Sequence, residues 1–515
     1  MVVAHPDLTA LPVAVIGAGP VGLAAAAHLI ERGLPFTVLE AGPAAGDSVA
    51  AWGHVRLFSP WRYNADAAAR KLLADVGWTP PADEVLPTGA ELVDEYLAPL
   101  AAHPAIEPHI RYGARVVALG RAGVDRVRTA GREDTLFVVR LADGGEILAR
   151  AVIDASGTWR TPNTLGVNGL PAHGETDAAR GLITHALPDV LGADRARFAG
   201  RHTLVVGAGH SAANTLLALA ELADTEPGTA VTWAVRSRSA DRAFGGGDAD
   251  ALPARGALGT GLRLLIDTGR VELLTGFGVT AVHPTVDGRT TVTSAPFGGA
   301  ERSVTVDRIV AATGYRPDHA IAAELRLDLD PVLGCTRELA PLIDPNEHSC
   351  GTVRPHGVDE LTHPEPGYFA VGMKSYGRAP TFLLATGYEQ VRSITAALSG
   401  DWTAARDVQL DLPETGVCSV TLGAKALVAD AADRFGLSPD IAAKLVSAAT
   451  RHLPTAGTVG AAVSAAAVEV GTLDHAARQI AALAADQFDL PAATDTVREL
   501  VTVPAAASSG GCGGA

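Results

Sequence analysis

Three glycines near the start of the chain have the residue type and spacing of a dinucleotide-binding loop. Gly17, Gly19 and Gly22 form the pattern Gly-x-Gly-x-x-Gly directly after the apolar run 12–16. In such a loop the first glycine permits a tight turn, the second lets the backbone approach a pyrophosphate, and the third allows close helix–strand packing. The N–H groups at the start of the following helix would face the phosphates, so the loop predicts a dinucleotide site.

A carboxylate follows this loop at the place where a ribose contact is expected. Glu40 comes directly after the next apolar run, 36–39. Its oxygens would accept hydrogen bonds from ribose hydroxyls and repel a 2′-phosphate, which favours FAD or NAD over NADP. The alternative, a glycine-rich turn without a ligand, does not explain why strand, helix, second strand and acid occur in this order.

A second loop of the same kind follows the apolar run 202–206. It has alanine at the third glycine position, a variant that the pattern allows. The strand after it, residues 230–235, is followed by an arginine, whose planar guanidinium suits the 2′-phosphate of NADPH. A solvated basic edge is the alternative for this arginine. The residues predicted to hold NADPH are Gly207, Gly209, Ser211, Ala212 and Arg236.

The two loops belong to one arrangement that the chain repeats. Each half continues through a hairpin, turning at 143–144 or 287–288, into an apolar strand that ends in Ala-Ser-Gly157 or Ala-Thr-Gly314. A repeat of this length predicts two related domains, and their different selecting residues indicate that electrons pass from one nucleotide to the other. A third apolar run, 367–371, ends in Gly372 and is predicted to return to the first domain and cover its cofactor.

Aromatic residues are concentrated after the first loop. Trp52 is predicted to form a pocket wall against a flat cofactor, and ordinary packing is the alternative for it and its neighbours. Together with Trp52, the glycines that end the three later strands, Gly157, Gly314 and Gly372, are predicted to contact a cofactor.

These patterns predict an α/β fold with two Rossmann-like dinucleotide-binding domains, for FAD and NADPH, and an all-helical C-terminal extension. The predicted boundaries are residues 1–165 and 306–412 for the two parts of the FAD domain, 166–305 for the NADPH domain, 413–505 for the helices and 506–515 for a flexible tail. Because the helical region carries no visible chemistry, we expect it to pack as a bundle or to form a homodimer.

Composition restricts the partners and the compartment. The chain has 515 residues, of which 47% are hydrophobic and 19% charged, as expected for a soluble globular protein of several domains. A formal net charge of -16 argues against nucleic acid or an anionic membrane as the main partner. The four cysteines form no Cys-x-x-Cys pair, no signal peptide precedes the first strand, and no apolar stretch could span a bilayer, so we expect a cytoplasmic protein. Cys350 and its neighbouring histidines match no common zinc spacing, so no metal is predicted.

The chain resembles the flavoproteins with two dinucleotide-binding domains. The resemblance is carried by the two glycine loops and, in addition, by the segments Ala155–Gly157 and Ala312–Pro317. Within that superfamily the chain is most similar to the flavin-containing monooxygenases, over residues 10 to about 400. The resemblance implies FAD on the first loop and NADPH on the second. A weaker similarity, carried by Trp61–Asn64 and residues 335–350, is to flavin monooxygenases of bacterial arsenic-resistance clusters.

The resemblance also implies two catalytic candidates. Asn64 lies where many members of the family carry an asparagine near the flavin. His185, with Gly181, fits the family signature Phe-x-Gly-x-x-x-His-x-x-x-(Tyr/Phe/Trp), although Ala179 and Asp189 replace its two aromatic residues. A structural loop histidine is the alternative for His185.

The predicted function is that of an FAD-dependent, NADPH-consuming monooxygenase, which inserts one oxygen atom from O2 into a small soft nucleophile or a carbonyl substrate. The alternatives are an NADPH-dependent flavin reductase or oxidase, a thiol-linked oxidoreductase, and a non-catalytic redox-sensing flavoprotein. A thioredoxin-reductase mechanism needs a cysteine pair beside the flavin, and no cysteine lies between residues 1 and 334. Cys512, with Cys418 as a partner, is the remaining candidate for a redox thiol.

Overall fold

The computed structural model describes residues 11–176, 181–245, 250, 252–294, 301–345, 355–380 and 382–410, together with isolated positions between 444 and 469. Apart from those positions, the predicted helical extension and tail lie outside the described residues, as do Ala179, Cys350, Cys418 and Cys512. The chain forms two compact units, residues 1–343 with 353–415 and residues 344–352 with 416–515. Both glycine loops lie in the first unit.

Sixteen strands form four sheets in the described part of the chain. They are β1 (Val13–Ile16), β2 (Phe36–Leu39), β3 (Ile110–Arg111), β4 (Val116–Arg121), β5 (Phe137–Leu141), β6 (Glu146–Ala149), β7 (Ala151–Asp154), β8 (Ile183–His185), β9 (His202–Val206), β10 (Ala230–Ala234), β11 (Glu272–Leu274), β12 (Val279–Pro284), β13 (Thr290–Ser294), β14 (Arg302–Val306), β15 (Arg308–Ala311) and β16 (Tyr368–Ala370).

The α-helices of the described residues are α1 (Pro20–Glu31), α2 (Asp47–Ala50), α3 (Trp61–Asn64), α4 (Ala67–Asp75), α5 (Gly89–Leu92), α6 (Ala98–Ala101), α7 (Arg195–Phe198), α8 (His210–Thr225), α9 (Pro253–Asp267), α10 (Ala340–Ile343), α11 (Val358–Leu361), α12 (Leu384–Leu398) and α13 (Trp402–Arg406). A π-helical turn over Val93–Leu97 joins α5 to α6. Together these three elements form one helical segment over residues 89–101.

Two five-stranded parallel sheets have the same strand order. The first sheet runs β16-β7-β1-β2-β3, and the second runs β8-β15-β9-β10-β11. We call the parts of the chain built on them the first half and the second half. Each contains the helix that follows its glycine loop, α1 or α8, as expected for a Rossmann-like unit. The predicted α/β class with two such units is confirmed.

The strand registers of the two sheets show which residue of the first sheet corresponds to which residue of the second. Ile16 at the end of β1 lies beside Asp154 at the end of β7. In the second sheet Val206 at the end of β9 lies beside Ala311 at the end of β15. Asp154 therefore corresponds to Ala311, although one is charged and the other apolar.

The strands are apolar because both faces of a parallel sheet are covered. All four residues of β1 are buried, and so are all four of β7. On α1 the residues Val21–Leu29 are buried, and four of these nine are alanines, whose small side chains allow the helix to lie close to the strands. The resulting core of the first half fixes the loop between β1 and α1.

Each half also carries a three-stranded antiparallel sheet, β4-β5-β6 or β12-β13-β14. Both predicted hairpins are confirmed, and Gly144 and Gly288 in their turns have φ of +88° and +80°. The apolar strand predicted to end in Ala-Thr-Gly314 is divided at Asp307 into β14 and β15. β16 pairs with β7, as a return of the chain to the first half requires, while the predicted domain boundaries stay predictions.

Candidate active site

The first glycine loop (residues 17–22) needs glycine at two of its three positions for reasons within the fold. Gly17 has φ of +99°, and a Cβ there would be 2.8 Å from the carbonyl oxygen of Ala155. A Cβ on Gly22 would be 2.0 Å from the carbonyl oxygen of Gly17. Gly19 differs, because a Cβ there would meet no atom within 4 Å. The open space above Gly19 is where the pattern places a pyrophosphate.

The helix that starts at this loop leaves its first N–H groups to a ligand. No side chain caps α1 at Gly19, and its first turn contains no acidic residue. By contrast, Asp66 caps α4 by accepting a hydrogen bond from the N–H of Ala69. Unpaired N–H groups and the positive end of the helix dipole favour an anion, so the first glycine loop fits the diphosphate of a dinucleotide.

The second glycine loop (residues 207–212) repeats this geometry. Gly207 has φ of +131°, and a Cβ there would be 2.1 Å from the carbonyl oxygen of Ala312. A Cβ on Gly209 would again meet no atom within 4 Å, and α8 starts there without a side-chain cap or an acidic first turn. Ala212 is fully buried and Ser211 half-buried. The second loop therefore fits a second diphosphate.

The second loop is fixed by a hydrogen bond from a tryptophan that no sequence motif indicated. Trp233 on β10 is fully buried, and its indole N–H donates a hydrogen bond of 2.6 Å to the carbonyl oxygen of Gly207. A buried tryptophan usually finds a partner for this N–H, which is the signal that could have drawn attention to it.

Glu40 lies at the edge of the first glycine loop. Its carboxylate accepts hydrogen bonds from the N–H of Ala18 at 2.7 Å and from the N–H of Gly42 at 2.6 Å. A carboxylate has about four acceptor positions, so two remain for the hydroxyls of a ribose. The side chain is thus fixed beside the loop with acceptor capacity to spare.

Arg236 lies one residue beyond the position that corresponds to Glu40. Leu39 and Ala234 occupy equivalent positions at the ends of β2 and β10, so Glu40 corresponds to the buried Val235. Arg236 is exposed and has no hydrogen-bond or ion-pair partner among the described residues. An unpaired guanidinium at this edge of the sheet suits a phosphate.

Four polar side chains form a hydrogen-bonded group around Asp154 at the carboxyl end of β7, which we call the Asp154 network: Asp154, Ser156, Tyr368 from the start of β16, and Lys374 from the turn after β16. Lys374 Nζ and the Tyr368 hydroxyl donate to Asp154 Oδ2 at 2.6 and 3.0 Å. The Ser156 hydroxyl donates to Asp154 Oδ1 at 2.6 Å. Burial opposes the charge of Asp154, but Lys374 and Ser156 outweigh it and lower the pKa of this carboxyl.

No motif in the sequence indicates the Asp154 network. Its one signal in the sequence is an aspartate at the end of the otherwise apolar strand Ala151–Asp154, because a charge at a fully buried position needs a partner. The partner, Lys374, is 220 residues away in the chain.

The glycines predicted to end the strands lie where the two halves join. Gly157 and Gly314 have φ of +68° and +84°. The segments after them pair with each other, since the Asn163 N–H donates to the Gly314 carbonyl at 2.9 Å and the Arg316 N–H to the Thr161 carbonyl at 3.1 Å.

Gly372 ends the return strand beside the first glycine loop. It has φ of +67°, and a Cβ there would be 3.2 Å from the side chain of Val21 in the first turn of α1. Its N–H donates to Gln390 Oε1 at 2.8 Å. The return strand is thereby held against the helix that starts at the first loop.

Asn64 is buried in a local network. Its side-chain nitrogen donates to the carbonyl oxygens of Ser59 and Pro60 at 2.6 and 3.1 Å, and its side-chain oxygen accepts from the Ser59 hydroxyl at 2.9 Å. Both amide N–H groups are therefore occupied within residues 59–64. This supports a role in shaping the segment, and the catalytic assignment of Asn64 stays a prediction.

His185 is exposed at the carboxyl end of β8, the edge of the sheet that carries the second glycine loop. The next residue, Ala186, has φ of +51°, the one positive value for a non-glycine residue in the described chain. Such strain is tolerated where surrounding contacts enforce it, here including a 3.1 Å hydrogen bond from the Ala186 N–H to the Ala311 carbonyl. A catalytic role for His185 stays a prediction.

Two aromatic contacts complete the neighbourhood of the loops. Trp52 is half-buried and packs against the start of α5, because a Cβ on Gly89 would be 2.8 Å from its ring. Phe58 of the first half and His210, the first residue of α8, have ring centroids 4.9 Å apart. The contact between Phe58 and His210, which no sequence motif indicated, joins the segment beside Asn64 to the second glycine loop.

Comparison with known proteins places the chain among oxidoreductases. Residues 14–333 match the family described as pyridine nucleotide-disulphide oxidoreductase. A rice protein (Oryza sativa subsp. japonica) named indole-3-pyruvate monooxygenase YUCCA1 is 35% identical over 203 residues, which are 38% of this chain and 42% of the relative. The match thus spans less than half the length of this curated relative.

Solved structures show the same fold at low identity. A bacillithiol disulfide reductase from Bacillus cereus has a TM-score of 0.55 and 18% identity, covering 76% of this chain and 99% of its own. DfoA, a cadaverine monooxygenase from Erwinia amylovora whose structure contains FAD, has a TM-score of 0.53 and 15% identity, with coverages of 78% and 98%. Both reductases and monooxygenases therefore share this fold.

Two further observations concern partners. None of the helices in the described part of the chain is long and apolar enough to cross a membrane. Within the same residues, no three His, Cys, Asp or Glu side chains are grouped as metal ligands would be.

Proposed function

We propose that this chain, which belongs to the pyridine nucleotide-disulphide oxidoreductase family, is an FAD-dependent monooxygenase that consumes NADPH. It transfers one oxygen atom from O2 to a small soft nucleophile or a carbonyl compound. The observation that carries the proposal is the pair of equivalent glycine loops, one beside Glu40 and the other near Arg236. Opposite charges at these places select different dinucleotides, as electron transfer from NADPH to FAD requires.

The first half provides the residues for FAD. The backbone of Gly19 and the uncapped start of α1 face the diphosphate, and Glu40 has acceptor positions left for the ribose. Bound FAD supplies hydride acceptance and the reaction with O2. The protein's part is to bind the cofactor, to orient it and to exclude water from it.

The second half provides the residues for NADPH. Gly209 and the uncapped start of α8 face the second diphosphate, and the unpaired Arg236 binds the 2′-phosphate. The contact between Phe58 and His210 brings this helix start against the first half, which shortens the path between the two nucleotides.

A thiol-linked reductase is the competing function, because reductases share the fold. It has less support in this chain, since the family-matched residues contain no cysteine. The nearest one in sequence, Cys335, has 1% of its surface exposed and belongs to the core of the first half. A buried thiol does not exchange with a disulfide substrate.

The curated relative supplies the first substrate to test. Its name identifies indole-3-pyruvate, a 2-oxo acid and thus a carbonyl compound, which is one of the two substrate classes proposed. Purified protein would be given NADPH, ¹⁸O-labelled O2 and a panel that contains this acid, other 2-oxo acids, thioethers and amines. We expect one ¹⁸O atom in the product of a panel member and less than one peroxide per NADPH. Peroxide equal to NADPH with every compound would instead indicate an oxidase.

Homodimerisation through the C-terminal helices and a cytoplasmic location are further proposals. Light scattering of the full chain and of a chain ending at residue 412 would test the first, with a dimer expected only for the full chain. Fractionation of the source cells would test the second.

A further inference from the structure

The Asp154 network contains a buried ion pair, Asp154 and Lys374, whose presence is not explained by a gain in folding stability. Asp154 and Lys374 are both fully buried, with 0% and 2% of their side-chain surfaces exposed. Removing two charges from water costs about as much as their attraction returns, so an apolar pair of similar volume would stabilise the fold as well. Buried charges of this kind are concentrated at functional sites.

The second half shows that the fold does not require the pair. By the sheet register Asp154 corresponds to Ala311, and Ser156 then corresponds to Thr313. The Thr313 hydroxyl donates to the backbone carbonyl of Asn163 at 3.0 Å instead of to a carboxylate. The second half builds the same sheet without these charges. We therefore infer that Asp154 and Lys374 serve the ligand of the first half.

The hydrogen bonds of Ser156 determine what its hydroxyl offers to a ligand. Ser156 Oγ is 2.6 Å from Asp154 Oδ1 and 3.1 Å from Lys374 Nζ. A carboxylate only accepts and an ammonium only donates, so the hydroxyl proton points to Asp154 and one lone pair faces Lys374. Ser156 is exposed, and its second lone pair remains for a hydrogen-bond donor outside the network.

The network borders the first glycine loop. A Cβ on Gly17 would be 3.4 Å from the Cα of Ser156. Lys374 lies in the 3₁₀ turn Gly372–Tyr376, whose first residue contacts Val21 in the first turn of α1. Ser156 and Lys374 are therefore placed at the carboxyl edge of the sheet, on the side where the loop receives its dinucleotide.

We propose that the Asp154 network positions and tunes FAD: Ser156 accepts a hydrogen bond from a hydroxyl or ring N–H of the cofactor, and Lys374 raises the midpoint potential of the bound flavin. The nicotinamide hydride brings two electrons and one proton, so reduced flavin carries one negative charge more than oxidised flavin. A buried cation at the site stabilises that charge. Asp154 acts through the other two residues, because it orients the Ser156 hydroxyl and holds Lys374. This inference rests on the proposed binding of FAD to the first loop.

The first test replaces Lys374 with methionine in the holoenzyme and measures the midpoint potential of the flavin against reference dyes. We expect at least a tenfold shift of the equilibrium toward oxidised flavin, which is about 30 mV for a two-electron couple. Arg121→Met is the matched control, because Arg121 is a buried cation in the same half that pairs with Glu365 at 2.7 Å. Glu365 lies before the start of β16, at the opposite edge of the sheet, so the control leaves the potential unchanged.

The second test replaces Ser156 and measures FAD binding to the apoprotein by flavin fluorescence. Ser156→Ala removes the acceptor and also the 2.6 Å hydrogen bond to Asp154, but it keeps the direct Asp154–Lys374 bond, so we expect the dissociation constant to rise roughly fivefold and the melting temperature of the apoprotein to fall. Ser156→Thr keeps the hydroxyl, and Thr313 shows that the equivalent position accepts threonine. We therefore expect Ser156→Thr to bind FAD as the wild type does.

The outcomes separate this inference from the proposed function. Wild-type protein that binds no FAD would contradict both. Wild-type protein that binds FAD, with an unchanged potential in Lys374→Met and an unchanged dissociation constant in Ser156→Ala, would overturn this inference alone. If Lys374→Met does not fold, the comparison of Ser156→Ala with Ser156→Thr decides whether the network contacts the cofactor.

Discussion

The indole N–H of Trp233 donates a 2.6 Å hydrogen bond to the carbonyl oxygen of Gly207. Gly207 is the first residue of the second glycine loop and has φ of +131°, a conformation that favours glycine. Trp233 is fully buried, so its ring cannot move without opening the core of the second half. The side chain of β10 therefore holds the loop that we expect to bind NADPH.

Replacing Trp233 should weaken the binding of NADPH and leave the binding of FAD unchanged. Trp233→Phe keeps an aromatic ring in the core but removes the donor, at a cost of about 1 kcal/mol, or roughly a fivefold rise of the KM for NADPH. FAD content should be unchanged. Trp78→Phe is the control, because it removes an indole hydrogen bond of 2.8 Å to the Glu95 carbonyl in the first half. Equal NADPH affinities in the two variants would show that Trp233 does not support the loop.

Gly19→Ala tests the diphosphate position without disturbing the fold. Gly19 has φ of −81°, which alanine adopts readily, and its added Cβ would meet no protein atom within 4 Å. We expect the variant to fold with unchanged apoprotein stability and to purify without the yellow colour of flavin, because the methyl group occupies the space of the diphosphate. The absorbance near 450 nm relative to protein measures the FAD content.

Gly22→Ala is the contrasting variant. Its Cβ would be 2.0 Å from the Gly17 carbonyl oxygen, so we expect a lower melting temperature of the apoprotein itself. A full complement of FAD in Gly19→Ala would refute the position assigned to the diphosphate.

Arg236→Ala tests the choice between the two pyridine nucleotides. Because we propose that the guanidinium binds the 2′-phosphate, we expect the KM for NADPH to rise about tenfold or more while the KM for NADH changes little. Arg195→Ala is the control, since Arg195 on α7 lies before the start of β9 and pairs with Glu226. If Arg236→Ala changes both constants by the same factor, another residue reads the phosphate.

The stability of the first half should fall at alkaline pH because of one histidine. Burial disfavours the charge of His28, but the carboxylates of Asp66 and Glu31 outweigh burial and raise the pKa of His28 to about 9. Since this pKa lies above the unfolded value of about 6.5, protonated His28 stabilises the fold fully below pH 6.5, and the stabilisation is lost as the pH rises toward 9. Its full size is about 3 kcal/mol at 1.36 kcal/mol per pKa unit.

The measurement is the free energy of unfolding by urea between pH 6 and pH 9.5. His28→Gln should be less stable than the wild type at pH 6 and should approach it at pH 9.5. His109→Gln is the control, because His109 is exposed and should leave the pH dependence as it is in the wild type. A constant difference between wild type and His28→Gln across this range would contradict the raised pKa.

Local patterns were sufficient to predict the strands and helices that carry both loops. Gly17 and Gly207 could be found because their positive φ and the close backbone of Ala155 and Ala312 admit glycine alone, so the requirement is visible in the sequence itself. The apolar runs of β1 and β9 could be read for the same reason, as buried parallel strands tolerate few polar residues.

Residues that act through distant partners could not be predicted in this way. The partner of Asp154 is 220 residues away, and no spacing rule connects the two. Likewise, the position that corresponds to Glu40 depends on the register of β10, which assigns Val235 to it and puts Arg236 one residue beyond.

In the proposed function, electrons pass from NADPH on the second loop to FAD on the first and then to O2 for oxygen transfer. The most direct measurement is stopped-flow absorbance, in which purified holoenzyme is reduced with NADPH without oxygen and then mixed with oxygenated buffer. We expect reduction by NADPH, followed by a long-lived absorbance band that belongs to neither oxidised nor reduced flavin and decays faster when substrate is added. Direct return to oxidised flavin with one peroxide released per NADPH would contradict the monooxygenase function.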